Sequence, residues 1–184
     1  MAHSAKIVVG STGLPPHWGH LPGYGEVVDP KKFPPYTEDL GGGVTHEVKV
    51  DGSEYWLKDG KLHRDGDLPA VVRPSGRQEW YRHGEPHRDG DLPAAVDCAG
   101  NLYWYQHGDL HRDGDKPAVT CPDGTQEWYQ HGHRHRDGDK PAYVSANGYQ
   151  AWFQNGQLHR DGDQPAIVRA DGSMEWRVKG KRIR

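Results

Sequence analysis

Five copies of the pentapeptide HRDGD, starting at residues 63, 87, 111, 135 and 159, each place an imidazole, a guanidinium and two carboxylates side by side. Three kinds of chemistry can use such groups. A histidine beside an aspartate is the pairing of a general base with the acid that orients it. Stacked carboxylates, such as Asp65, Asp67, Asp89 and Asp91, can offer oxygens to a hard cation. Histidine and arginine can also simply bond the aspartates, as charge-assisted pairs that hold a loop in place.

The repetition weighs these readings against one another. A catalyst needs one constellation beside one pocket, so five near-identical copies argue against turnover. The HRD tripeptide resembles the catalytic loop of protein kinases, but the downstream asparagine, the phosphate-covering glycine loop and a helical lobe are missing. No catalytic residue and no cofactor site is assigned. For a metal, every motif brings its own competing arginine, and neither an EF-hand glutamate nor a nonapeptide period is present, so no metal ligand is assigned. The structural reading explains more. Asp65 and Gly66 suit a tight turn, Asp67 can cap backbone N–H groups ahead of Pro69, and His63 or Arg64 can bond carboxylates of the same or the next unit. The expectation is a ladder made of His63, Asp65 and Asp67; His87, Asp89 and Asp91; His111, Asp113 and Asp115; His135, Asp137 and Asp139; and His159, Asp161 and Asp163.

What would position that ladder is a period of 24 residues with no insertion anywhere in the series. The same step links Trp56, Trp80, Trp104, Trp128, Trp152 and Trp176, a glycine series from Gly52 to Gly172 and another from Gly60 to Gly180. This is a repeat protein. Within one unit, PAVVRPSGRQEWYRHG reads as a β-rich run, a turn and a second aromatic run, which is a hairpin signature. Asp51-Gly52 and its equivalents fit a two-residue turn with positive φ at both centres. That loop sets Val71 opposite Trp80, Val119 opposite Trp128 and Ile167 opposite Trp176, with Ala118 opposite Tyr129 on the reverse face. A three-residue loop with a bulge would shift the register by one. The tryptophans are expected to interlock as core, and His83, His107 and His131 to sit in solvated turns.

The predicted fold class is all-β: an elongated antiparallel sheet of sequential hairpin repeats over residues 46–184, with a degenerate first unit and a truncated last one. Residues 1–45 are Pro/Gly-rich and lack periodicity, and are read as an extended arm. In it Trp18, Tyr24, Phe33 and Tyr36 are spaced irregularly among prolines, as separate anchors for a protein partner. Only 33% of the chain is hydrophobic, which a repeat stack tolerates better than a thick core. A formal charge of -3 with both signs interleaved gives no footprint for nucleic acid. No apolar run suits a membrane span or a signal peptide, so the chain is expected in a virion or the cytoplasm. Cys98 and Cys121 sit one position out of phase in successive units, too far apart for a bridge, so two thiols are expected.

The tryptophan, the HG or NG after it and the HRDGDxPA segment carry a resemblance. Residues 46–184 resemble the MORN-like hairpin repeats, in the NGxxHRxxxxPA version found in giant viruses and bacteriophages and, more distantly, in bacterial antitoxin-like repeat proteins. The resemblance implies a binding or assembly scaffold without a catalytic centre: a virion component docking through its arm, or alternatively an inhibitor that masks a target protein with the sheet. HRDGD departs from the usual MORN glycine-tyrosine pattern, so lipid binding is not carried over.

Overall fold

The computed structural model describes residues 6–8 and 35–184. Among these the chain is all-β, with no helix, and its strands pair antiparallel as a succession of hairpins. It divides into two compact units, one ending at Glu85 and one running from Pro86 to Arg184.

The first unit contains β1 (Lys6–Val8), β2 (Tyr36–Gly41), β3 (Val44–Val48), β4 (Glu54–Lys58), β5 (Lys61–Leu62), β6 (Val71–Val72) and β7 (Gln78–Glu79). They lie in the order β1-β2-β3-β4-β6-β7, with β5 hung on β4. The hairpins therefore begin ahead of residue 46. β2 turns into β3 through Gly42 and Gly43, whose φ values of +61° and +77° favour glycine, and a Cβ at Gly43 would also strike the Asp59 carboxylate. Tyr36, expected as an anchor on an extended arm, is instead 6% exposed, pairs with Val48 and meets the His46 ring edge-on. His46 in turn stacks on Trp56 at 4.3 Å, so Tyr36 closes the end of a buried aromatic stack. The proline-rich run just before Tyr36 hides a strand that its own sequence, YTEDL, supports. Trp18, Tyr24 and Phe33 lie outside the described residues.

The second unit shows the repeat plainly, and residues 117–140 serve as its example. Val119–Thr120 and Gln126–Glu127 form the first hairpin, with Val119 opposite Glu127 and Thr120 opposite Gln126. Its loop is Pro122-Asp123-Gly124: the Gly124 amide donates to the Cys121 carbonyl at 2.9 Å and the Cys121 amide to the Thr125 carbonyl at 2.9 Å. Gly124 alone takes positive φ, +91°, while Asp123 does not. This is a type I turn closed by a glycine bulge, so the expected two-residue turn is corrected to three. The register moves by one. Trp128 leaves Val119 and comes level with Ala118, and the expected pairing of Ala118 with Tyr129 is displaced likewise.

The two-residue turns with positive φ at both centres lie elsewhere. Tyr129–Gln130 and His133–Arg134 form a second, separate hairpin around His131 (φ +49°) and Gly132 (φ +76°). Its equivalents turn at His107-Gly108, Asn155-Gly156 and Lys179-Gly180. The tryptophan is the joint between the two hairpins: the Trp128 amide donates to the Ala142 carbonyl at 2.8 Å, and its own carbonyl accepts from the His135 amide at 3.0 Å. Core follows this joint. Trp104, Trp128 and Trp152 are buried, and Ala118, Ala142 and Ala166 of the PA dipeptides are 0% exposed, leaving no room beyond a methyl group. Trp176 is only half-buried. Cys98 and Cys121 are free thiols.

Candidate functional site

The HRDGD groups converge on one another and on the neighbouring repeat. In the third motif, His111 Nδ1 accepts the backbone N–H of His131 at 3.2 Å, which fixes the ring proton on Nε2. That Nε2–H points to Asp113 Oδ1 at 3.0 Å. The same pair of bonds recurs from His63 to Asp65 and the His83 amide, from His135 to Asp137 and the Asn155 amide, and from His159 to Asp161 and the Lys179 amide. Both donors of the positive-φ turn are used, because the Gly132 amide also reaches back, to the Leu110 carbonyl at 3.0 Å. The histidine thus joins its own loop to the second hairpin of the next unit. His87 bonds Asp89 in the same manner at 3.0 Å.

The arginine spends every part of its side chain. Arg136 lies over the Trp128 ring at 3.7 Å, donates Nη1 to the Pro141 carbonyl at 3.2 Å, and grips Asp115 of the preceding motif through Nε and Nη2 at 2.6 and 3.3 Å. Arg112 does the same with Trp104, Pro117 and Asp91, and Arg160 with Trp152, Pro165 and Asp139. At the end of the series Arg184 covers Trp176 and pairs with Asp163. A planar, forked cation suits this triple duty and an ammonium would not.

The second aspartate uses its backbone as well as its side chain. The Asp67 carbonyl accepts the Trp80 indole N–H at 3.1 Å, as those of Asp91 and Asp115 do for Trp104 and Trp128. All three aspartates take positive φ near +55° to present it. Asp139 and Asp163 do not, and the Trp152 and Trp176 indole nitrogens are buried without a partner. The carboxylates of Asp91, Asp115, Asp139 and Asp163 belong to the next motif's arginine.

Two contributors carried no sequence signal of their own. Lys116 and Lys140 add a second cation to Asp91 and Asp115, each at 2.7 Å. Gln106, Gln130 and Gln154 donate to Asp113, Asp137 and Asp161. Only the spacing of polar residues two places beyond each tryptophan could have suggested the glutamines. Hydrogen bonds from Arg136 and then Lys140 pull the Asp115 carboxyl down to about 2, and the Arg112 and Lys116 bonds hold Asp91 well below the usual carboxylate range. Asp113 is lowered by Gln106 and His111, and Asp65 by His63 and Lys58.

This geometry limits the chemistry. A general base needs a free lone pair within reach of a substrate proton, and here Nδ1 is taken by an amide while Nε2 carries the proton. The groove between the third and fourth motifs, about 250 Å³, is walled by His111, Asp113, Lys116, Gln130 and Arg136, whose polar groups are bonded to the ladder as described above. Among the described residues no three His, Cys, Asp or Glu side chains form a group fit to hold a metal ion. Against known proteins, no family model matches the chain and no match to a curated protein is found.

Proposed function

We propose that this chain is a non-enzymatic structural protein that assembles into a larger particle, a virion by the resemblance of its repeats, docking through the N-terminal residues between β1 and β2. One observation carries the reading. The groups able to do chemistry are spent on holding one repeat to the next, as His111, Arg112 and Asp113 are. Such a series makes a spacer or display surface, because each unit is fixed by neighbour contacts rather than by a deep core. Trp18, Tyr24 and Phe33 are the proposed anchors, as aromatic side chains most often dominate interface energies. Tyr36 drops out of that set because it is committed to the β2–β3 hairpin.

The test changes the anchors without shortening the chain, since a cut at residue 40 would strip β2 from the sheet. The triple variant Trp18→Ser, Tyr24→Ser, Phe33→Ser should keep its melting temperature yet lose incorporation into purified particles, where the wild-type chain has a fixed copy number by mass spectrometry. Recovery of the wild-type chain only in a one-to-one complex with a single host protein would replace this reading with that of an inhibitor.

A further inference from the structure

One unit breaks the repeat in a concerted way. Where the others carry Tyr55, Glu79, Tyr103, Glu127 and Glu175, this one has Ala151. Those glutamates are partners of arginines: Arg77 bonds Glu79, Arg134 bonds Glu127, and Arg169 bonds Glu175. An alanine, 1% exposed, leaves that volume empty. The result is an open cavity of about 420 Å³ above Ala151, within the range of small-molecule sites.

The residues around it depart from the repeat as well. Tyr143 stands where Val71, Ala95, Val119 and Ile167 stand elsewhere, and Tyr149 replaces Arg77, Asn101, Thr125 and Ser173. Their rings meet edge-on, 5.6 Å apart, and Phe153 completes the apolar wall. Neither tyrosine hydroxyl has a hydrogen-bond partner among the described residues. At the rim, the Tyr149 amide occupies Ser145 Oγ and Asn147 Oδ1, which leaves the Asn147 amide group free to donate outward.

Charge narrows the occupant. Arg134, in place of Leu62, Leu110 and Leu158, already sits among Tyr129, Tyr143 and Phe153 at 5.0 to 5.4 Å from their centroids. Its Nη2 bonds both Glu127 and the Tyr129 hydroxyl, so the pair is neutral. With the pair neutral, an ion of either sign meets no net charge there, while the buried Arg134 Nε–H is left without an acceptor and can donate to an uncharged oxygen. Main-chain pairing narrows it further. Tyr143 is paired to Glu127 and Ala151, and Ala151 to Ile167, so no strand edge is open to an extended peptide. What remains is an uncharged ring with an apolar face and a hydroxylated rim.

We propose that this cavity binds a neutral pyranose, its C–H face against Tyr149 and Phe153 and its hydroxyls bonded to the tyrosine hydroxyls and Asn147. This goes beyond the assembly role and stands whether or not that role holds. The experiment titrates the full chain with the methyl glycosides of glucose, galactose, mannose and N-acetylglucosamine, read by calorimetry and by tyrosine ring signals in NMR. At least one should saturate. Ala151→Glu and Tyr149→Thr each install the residue a neighbouring unit uses at that position, so folding is retained, and each should weaken binding tenfold or more. Wild-type protein that saturates with none of the four glycosides overturns the proposal. Undiminished binding by either folded variant does so too, as would saturation by a proline-rich peptide alone.

Discussion

Replacing Arg136 by lysine asks which part of the arginine matters, because the structure lets its three interactions be weighed separately. Stacking on Trp128 at 3.7 Å, with the guanidinium side chain 17% exposed, is worth about 1 kcal/mol. The charged donor to the Pro141 carbonyl adds roughly 1.5 kcal/mol. The bidentate pair with Asp115 looks strongest on paper, but that carboxylate is 42% exposed, and screening cuts the pair to about 0.5 kcal/mol. Lysine keeps the charge and loses the flat stack and the fork. Arg136→Lys should therefore cost about 2 kcal/mol, Asp115→Asn about 0.5 kcal/mol, and the coupling in their double-mutant cycle should stay below about 1 kcal/mol. Urea titration at matched pH, in low and in high salt, measures all three. A coupling of about 2 kcal/mol or more, or a loss that vanishes in high salt, would show that the ion pair outweighs the stack.

Trp128→Ala should cost about 3 to 5 kcal/mol and Trp176→Ala less than that range, since Trp176 is half-buried and its indole nitrogen makes no bond; equal losses in denaturant would contradict the core assignment. His131→Asn should be nearly neutral, because Asn155 already holds the equivalent turn and the bond to His111 uses the backbone, whereas His131→Val forces a branched side chain to φ near +49° and should cost roughly 1 to 3 kcal/mol; thermal melts with equal losses would refute this. The carboxylates that accept the arginine forks make stability depend on acid. Asp115, held down to about 2, contributes stability that is complete above a free carboxylate's value of about 3.9 and is lost as pH falls through about 2. A melting temperature that stays flat as pH falls from about 4 to about 2 would remove Asp115 from the ladder.

The period and the strand pairs around each turn were legible because the tryptophans and glycines recur at a fixed step. The turn type was misread, since Asp-Gly satisfies a glycine bulge as well as a two-residue turn. Pro74 and Pro122 held the missing signal: proline one place earlier is favoured at the first central position of a type I turn. Ala99 and Ser75 pointed the same way, being poor residues for positive φ. Histidine-to-aspartate bonding within the motif was readable from adjacency. The partners some 20 residues away, such as the His131 amide for His111, were not, because they depend on how the second hairpin lies on the first. The cavity at Ala151 escaped for the opposite reason. A search for what repeats passes over the one unit that differs.

The arginine and histidine bonds to neighbouring repeats also say how such a gene can change. Each motif's partners sit at fixed offsets, 21 residues back for the carboxylate that Arg136 grips and 20 residues on for the amide that His111 receives. Adding or deleting one codon inside a unit would throw both ladders out of step and turn strand faces over. Removing or duplicating a whole 24-residue unit restores every offset. Gain or loss of whole units would then be the milder route to longer or shorter forms, because it keeps the 24-residue spacing that both ladders need.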